Sequence, residues 1–402
     1  MTTNVVMKAL LLIPAIMIAA CQPLSAPDAS GAGHVISSPQ PSADDVLFTS
    51  ASGAAVEADA FETFISEEIA RLDMQGLSLA LIDDGEIVFH TARGTANVDT
   101  GEGVSDASIF EAASLSKPVF AYFALKMVDQ GIIELDRPLH EYLPMEEFEA
   151  DRRYEQVTAR MVLSHTTGFP NWRWFDPAPE DMNLPRGTMY MKNDPGVFGY
   201  SGEGYNYLAK VIAHETGHDL TTLDQLFQDV VADPLGMTHS AFVQTDYIAR
   251  HKVMGHVDGK TTDFGWPRSF PDDTPQTFGA AGRLHTDAVD YARFIIALIN
   301  EEGLSPALFD EMFAAQSQVP LDSEMHDVTG DTAWGLGLAI EPTPFGLRYE
   351  HGGNNNNFQA GMMVFRERGL GYVFMTNGNK GQAFDDALQH FVTLGEKPRA
   401  DE

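Results

Sequence analysis

The sequence has 402 residues, of which 44% are hydrophobic, so it carries enough apolar material for a large globular fold and too much for a disordered or fibrous chain. Lys and Arg number 25 against 58 Asp and Glu, which gives a formal net charge of −33 at pH 7. A surface this acidic repels phosphate backbones and anionic lipid headgroups, which argues against nucleic acid as a partner and against direct binding to an anionic membrane.

Residues 1–20 have the composition of an export signal, because Lys8 is their only charged residue and the run that follows is almost wholly apolar. The run is too short for a stable membrane span. Residues Ile18 to Cys21 resemble the lipobox of bacterial lipoproteins, and Cys21 is the only cysteine of the chain. The resemblance implies cleavage before Cys21 and lipidation of its thiol, and Gln22 after it implies sorting to the periplasmic side of an outer membrane. The alternative is a plain secretory signal with an incidental cysteine.

The next segment, residues 21–45, is rich in Ser, Pro, Ala and Gly and lacks hydrophobic periodicity. Such a composition predicts a flexible tether. A folded domain is expected over residues 46–395, with a short tail at residues 396–402. The membrane contact expected for the mature protein is the lipid on Cys21, because no apolar stretch of membrane length follows the signal.

The folded part begins with a predicted helix and a predicted β-hairpin. Apolar residues between Ala60 and Leu72 recur with the period of one helix face. Two short strand-like runs follow, Leu77–Ile82 and Ile87–His90, and residues 83–86 between them carry the Asp-Gly signal of a tight hairpin turn.

The end of the chain is again rich in strands, whereas the middle is dominated by helical patterns. Four strands and a closing helix are predicted at Trp334–Glu341, Leu347–Glu350, Gln359–Arg366, Gly371–Thr376 and Ala383–Leu394. Between about residues 114 and 300, helices are predicted at Val119–Gln130, Tyr205–Glu215 and Ala288–Asn300. Strands from both ends must then share one antiparallel sheet, so the fold class predicted is α+β, an α/β sandwich with a large helical insertion.

The first candidate for chemistry is the pair Ser114 and Lys117, which lies where a strand-like segment enters a helix. At a spacing of three residues the two side chains share one helix face. The positive end of the helix dipole favours an alkoxide on the serine, and burial lets the lysine lose its charge and accept a proton. The alternative is a capping serine with a lysine that faces solvent.

Several further runs accompany this pair in a specific order. They are Gly131–Leu139, Met161–Pro170, Ala280–Thr286 and Trp334–Leu338. With them the chain resembles the class C β-lactamase-like, penicillin-recognising serine hydrolases from about Phe61 to Phe391. The resemblance implies a β-lactamase/transpeptidase-like fold, in which an antiparallel sheet is flanked by the terminal helices. It also implies acyl transfer, with Ser114 as nucleophile and Lys117 beside it.

The second motif of that family is Tyr-x-Asn, and Tyr200 occupies its first position. The resemblance implies that Tyr200 is a third catalytic residue, which lies between Ser114 and Lys117 and relays the proton as a phenolate. Gly202 stands where the family has Asn, whose carboxamide binds the amide of the substrate's acyl side chain. The sequence therefore favours esters over β-lactams and peptides as substrates.

The third family motif, Lys-Thr-Gly with a His-x-Gly variant, corresponds to His351, Gly352 and Gly353. The resemblance implies an edge strand that lines the site, with the N–H of Asn354 and that of Ser114 forming the oxyanion hole. A histidine is mostly neutral near pH 7, whereas the family's lysine holds a substrate carboxylate.

A competing motif is His-Glu-x-x-His at His214 to His218, which on one helix face would bind zinc. We expect Gly217 to end that helix first, so that His218 lies beyond it. The preferred hypothesis is an esterase or D-amidopeptidase that needs no metal or organic cofactor and binds a small or peptide-like carbonyl substrate. The alternatives are a class C-like β-lactamase or DD-peptidase, a zinc peptidase, and a non-catalytic lipoprotein that binds muropeptides or a partner.

Overall fold

The structure is a computed structural model, and it describes residues 46–148, 151–262 and 273–398. The predicted signal at residues 1–20, the tether at residues 21–45 and Cys21 lie outside the described residues. So do the last four residues of the predicted tail. Within the described ranges, no helix combines the length and the apolar character that crossing a membrane requires.

The largest sheet of the described residues has nine strands, and every neighbouring pair is antiparallel. The strands of the described part are β1 Val46–Thr49, β2 Ala55–Glu57, β3 Gly76–Asp83, β4 Glu86–Asn97, β5 Glu102–Gly103, β6 Phe110–Glu111, β7 Gly255–Val257, β8 Lys260–Thr262, β9 His285–Thr286, β10 Ser317–Gln318, β11 Ala333–Trp334, β12 Ala339–Thr343, β13 Gly346–Asn354, β14 Gln359–Phe365 and β15 Leu370–Thr376. The order in the large sheet is β10-β11-β12-β13-β14-β15-β3-β4-β5. Strands β15 and β3 pair, so both ends of the chain share one sheet, as predicted.

Helices cover both faces of this sheet. Those of the described part are α1 Ala58–Leu72, α2 Ser116–Asp129, α3 Ala159–Leu163, α4 Gly202–Thr216, α5 Leu223–Phe227, α6 Asp233–Leu235, α7 Asp246–His251, α8 Ala288–Ile299, α9 Pro306–Phe313, α10 Glu324–Thr329 and α11 Gly381–Leu394. Leu79 and Leu81 of β3 share one buried cluster with α1 and α11, whereas Ala80 and Ile82 share another with α2 and α8. Side chains that alternate along β3 thus enter two different cores, which confirms the predicted α+β sandwich.

The predicted hairpin is present, and its turn explains why it forms. Asp84 and Gly85 both have positive φ, at 52° and 72°, as the tight turn between β3 and β4 requires. Glycine adopts this conformation freely and aspartate tolerates it better than most residues do. The predicted helix between Ala60 and Leu72 is also confirmed, as α1.

The single strand predicted at Trp334–Glu341 is wrong, because the structure has two antiparallel strands there, β11 and β12. Gly337 lies in the turn between them with φ 94°, a conformation that other residues rarely adopt. A Cβ on Gly337 would overlap the side chain of Ala121 in α2, so the turn sits directly on the helix that follows the nucleophile. The hydrophobic pattern continues through this turn, so the sequence does not indicate where one strand ends and the next begins.

The insertion between about residues 114 and 300 carries α2 to α8, as the helical patterns predict. It is not wholly helical, since β9 pairs with β6 and β7 pairs with β8. In the β6–β9 pair, β6 lies just before Ser114 in the chain, because Phe110 and Glu111 form this strand.

Candidate active site

Ser114 lies in a sharp turn between a strand and a helix. It belongs to a 3-10 turn over Ala113–Leu115, and α2 begins only at Ser116, so the nucleophile precedes the helix it was predicted to open. Ala113 has φ 48°, a left-handed conformation that is costly for a residue with a Cβ. Backbone strain of this kind beside a candidate nucleophile is typical of active sites.

Lys117 lies one helical turn further on and points back at the serine. Its Nζ is 3.2 Å from Ser114 Oγ and donates a hydrogen bond to the carbonyl oxygen of Ala281, 2.7 Å away. The side chain is completely buried, and this desolvation lowers the pKa of Lys117 to about 7. A neutral amine at this position can donate to Ala281 and still present its lone pair to the serine hydroxyl.

Tyr200 completes the group of predicted catalytic residues. Its hydroxyl is hydrogen-bonded to Ser114, and Lys117 Nζ lies 4.7 Å from the centroid of its ring. Burial raises the pKa of Tyr200 well above its usual value. The resting side chain is therefore a protonated phenol, which differs from the phenolate expected, and Lys117 is the better proton acceptor of the two.

The third motif lies on β13 and runs past the nucleophile. A Cβ on Gly353 would overlap the carbonyl oxygen of Ala112, whereas one on Gly352 would meet no atom within 4 Å. Gly353 thus allows the strand to approach the segment that carries Ser114, and Gly352 faces open space. Strand β12 pairs with β13 only as far as Glu350, so the edge of residues 351–354 on that side has no strand partner among the residues that the structure describes.

Asn354 is the last residue of β13, and the hydrogen-bond ladder indicates the direction of its backbone N–H. The N–H of the next residue, Asn355, donates to the carbonyl oxygen of Phe358 on the β14 side. Because alternate residues of an antiparallel strand turn their polar groups to opposite edges, Asn354 directs its N–H to the edge that lacks a strand partner.

His351 presents an unusual imidazole to the site. Its Nδ1 lies 2.7 Å from the carbonyl oxygen of Gly352, so Nδ1 carries the proton and Nε2 keeps its lone pair. Nε2 is buried and has no hydrogen-bond partner among the described residues. Burial and the nearby Lys117 lower the pKa of His351 to about 3, so the ring is neutral at pH 7.

Two side chains near the site have roles that the motifs did not identify. His165 stacks on Tyr200 at 4.2 Å between ring centroids, and its Nδ1 accepts a hydrogen bond from the backbone N–H of Ser201 at 3.1 Å. It therefore positions the second motif. Trp334 packs edge-on against both His165 and His351, and nothing in its sequence surroundings predicts this contact.

The His-Glu-x-x-His motif does not form a zinc site on one helix face. Helix α4 ends at Thr216, and Gly217 caps it in the left-handed conformation, with φ 71°. His218 lies beyond this cap, as predicted, and its Nδ1 is 3.3 Å from the hydroxyl of Thr222. His214 is exposed on the last turn of the helix, so the two imidazoles do not converge.

The profile of one protein family, Beta-lactamase, matches residues 61–395. The chain belongs to the beta-lactamase family. Penicillin-binding protein 4 of Amycolatopsis lactamdurans is 26% identical to this chain over 325 residues, which are 77% of this chain and 82% of Penicillin-binding protein 4. Protein flp of Staphylococcus aureus strain MW2 is 25% identical over 226 residues, which are 54% of this chain and only 45% of that longer protein.

Two solved structures have a similar fold. The octameric penicillin-binding protein homologue from Pyrococcus abyssi superposes with a TM-score of 0.68 at 22% identity, over 85% of this chain and 78% of that one. D-alanine carboxypeptidase AmpC from Burkholderia cenocepacia superposes with a TM-score of 0.65 at 18% identity, over 84% of this chain and 99% of that one. At these identities the likeness concerns the fold alone.

Proposed function

We propose that the chain is a serine hydrolase that cleaves ester or small amide bonds through an acyl-enzyme on Ser114. The observation that carries the proposal is the contact of 3.2 Å between Ser114 Oγ and the completely buried Nζ of Lys117. With a pKa of about 7, a large share of Lys117 is unprotonated at neutral pH and can accept a proton, whereas an exposed lysine is almost fully protonated. Membership of the beta-lactamase family supports the same reaction class.

In the proposed acylation step, Ser114 Oγ bonds to the substrate carbonyl carbon while its proton moves to Nζ of Lys117. The backbone N–H groups of Ser114 and Asn354 hold the resulting oxyanion. The proton then passes from Lys117, through the hydroxyl of Tyr200, to the leaving alcohol or amine as its bond to the carbonyl carbon breaks. Water attacks the acyl-enzyme by the same route in reverse and releases the acid, so the enzyme returns to its starting state.

The two departures from the family motifs support esters and small amides over β-lactams. Gly202 offers no carboxamide to an acyl-side-chain amide, and His351 is neutral at pH 7, so it cannot hold a carboxylate as a lysine does. We therefore expect a p-nitrophenyl ester to be hydrolysed with a higher kcat/KM than a penicillin or a cephalosporin. The opposite preference would contradict this part of the proposal.

The decisive experiment treats the protein that begins just after Cys21 with a fluorophosphonate probe, which traps activated serines, and maps the adduct by peptide mass spectrometry. We expect an adduct on Ser114 that is lost in Lys117→Ala and strongly reduced in Tyr200→Phe. Lys126→Ala is the matched control, because Lys126 lies on the same helix and its Nζ binds the carbonyl oxygen of Gly303 instead. A folded protein without an adduct would contradict the proposal and favour a non-catalytic binding protein, whereas inactivation by a chelator would favour zinc.

We also propose that the protein is exported and anchored by a lipid on Cys21, on the periplasmic side of the outer membrane. The support is the lipobox-like run before the only cysteine of the chain. Incorporation of labelled palmitate into the wild-type chain, and its loss in Cys21→Ala, is the expected result. Equal labelling of both chains, or no labelling of either, would contradict the anchor.

A further inference from the structure

The space beside the second motif is filled by a tryptophan. A Cβ built on Gly202 would lie 2.8 Å from both Cη2 and Cζ2 of Trp172, which is closer than real Cβ atoms approach carbon. Any side chain at position 202 would therefore have to displace this ring. The indole thus occupies the space that the motif's asparagine would need at position 202.

The same ring lies close to the catalytic group. Its centroid is 6.0 Å from Nζ of Lys117, which in turn lies 3.2 Å from Ser114 Oγ. Trp172 packs against the main hydrophobic core but is only partly buried, so part of its surface remains accessible. A partly open indole this close to Lys117, whose Nζ contacts the nucleophile, can contact a substrate's acyl group.

The backbone on both sides of Trp172 is attached to the start of α4. The carbonyl oxygen of Asn171 accepts hydrogen bonds from the N–H groups of Gly202 and Glu203, each at 3.1 Å. Arg173 donates from its backbone N–H and from Nη2 to the two carboxylate oxygens of Glu203, each at 3.0 Å. Arg173 and Glu203 are both buried, so this attachment is shielded from water and fixes the ring before substrate arrives.

We propose that Trp172 forms the wall of the acyl subsite and selects short, apolar acyl groups. The inference rests on the proposed hydrolase activity and specifies its substrate class. The indole offers an apolar face where the family motif would offer a hydrogen-bonding carboxamide, and its volume limits the length of the acyl chain. Esters of short fatty acids are therefore the preferred class, ahead of long-chain esters and of acyl groups that begin with an amide.

The first test compares kcat/KM for p-nitrophenyl acetate, butyrate and octanoate. We expect wild type to prefer the short esters, and Trp172→Ala to raise the octanoate-to-acetate ratio by about tenfold or more. Trp174→Ala is the matched control, because Trp174 lies two residues further on and packs over Gly187 instead of Gly202. The control is expected to keep the wild-type ratio.

The outcomes separate the two proposals. If wild type hydrolyses none of the esters in a Ser114-dependent manner, the proposed function fails. If wild type is active but the ratio in Trp172→Ala equals that of wild type, the hydrolase stands and the role of Trp172 is overturned. Trp172→Phe keeps a flat apolar ring, so its octanoate-to-acetate ratio is expected to lie between those of wild type and Trp172→Ala. This variant tests the proposal if the alanine variant does not fold.

The second test asks directly whether the ring occupies the space at position 202. Gly202→Asn alone is expected to lower the melting temperature and the ester activity, because the new side chain must displace the indole. In the Trp172→Ala background the same substitution is expected to cost much less, since the space is then empty. An equal loss of melting temperature in both backgrounds would overturn the proposed arrangement.

Discussion

The nucleophile side and the recognition side of this active site are built in opposite ways. Ser114 and Lys117 are placed by local backbone geometry, through a strained turn and one turn of helix, and the ionisable amine is buried. The recognition side is neutral, with Trp172 over Gly202 and an uncharged His351, and a loop attached through a buried ion pair holds the indole. A short local motif thus places the groups proposed for the chemistry, whereas packing between distant segments shapes the side proposed for specificity.

The largest expected effect lies on the nucleophile side. Lys117→Met removes the proton acceptor but keeps an unbranched side chain of similar length, so we expect kcat/KM for p-nitrophenyl acetate to fall about 10²- to 10⁴-fold. Lys126→Met on the outer part of the same helix should retain activity. Melting temperatures of both variants report whether they fold, and an unchanged rate in folded Lys117→Met would remove this lysine from the mechanism.

The recognition side should respond most strongly in stability. Arg173→Ala leaves Glu203 buried without its ion-pair partner, which should cost about 3–5 kcal/mol in the free energy of unfolding. Urea denaturation measures this cost. Arg153→Ala is the control. Arg173 pairs with Glu147 and Glu203, and Arg153 likewise pairs with two carboxylates, Asp151 and Asp194, but at the surface, where about 0–1 kcal/mol is expected. Equal costs for the two variants would show that the buried pair does not hold the loop.

Strand β13 joins the two sides, and its two glycines provide a matched pair of substitutions. Gly353→Ala places a methyl group against the carbonyl oxygen of Ala112 and should cost about 1–3 kcal/mol, with a loss of activity of about 10²-fold as the strand moves away from Ser114. Gly352→Ala meets no atom and should change stability by no more than about 0.5 kcal/mol. If urea denaturation shows the same loss of stability for Gly353→Ala and Gly352→Ala, the close approach of β13 to Ala112 is contradicted.

The smallest of the four effects is the pH dependence of activity. Because neutral Lys117 accepts the proton, kcat/KM should be constant well above pH 7 and fall about tenfold per pH unit below the pKa of about 7. The pKa of His351 is about 3, so this imidazole should contribute no step between pH 5 and 9. In His351→Gln, kcat/KM should therefore still fall below about pH 7. If this fall disappears in the variant, the titrating group is His351 and not Lys117.

Much of the fold is predictable because its signals are local. Alternating apolar residues predict β3, and the Asp84-Gly85 turn predicts the hairpin with β4, since only certain residues adopt two positive φ angles in succession. The strand prediction failed at β11 and β12, where hydrophobicity continues through a glycine turn. Gly337 in that turn packs against Ala121 in α2, a contact that no local pattern indicates.

For the site, the sequence by itself determined which residues carry the chemistry: the three-residue spacing of Ser114 and Lys117, the position of Tyr200, and the replacement of motif residues at Gly202 and His351. Only the tertiary structure decided their states. The pKa of Lys117 depends on burial by segments far along the chain, and the protonation of Tyr200 depends on the same desolvation. The space beside Gly202 is filled by Trp172, which lies on a loop some 30 residues earlier. Spacing is a property of the covalent chain, whereas desolvation and contact arise only when distant segments pack together.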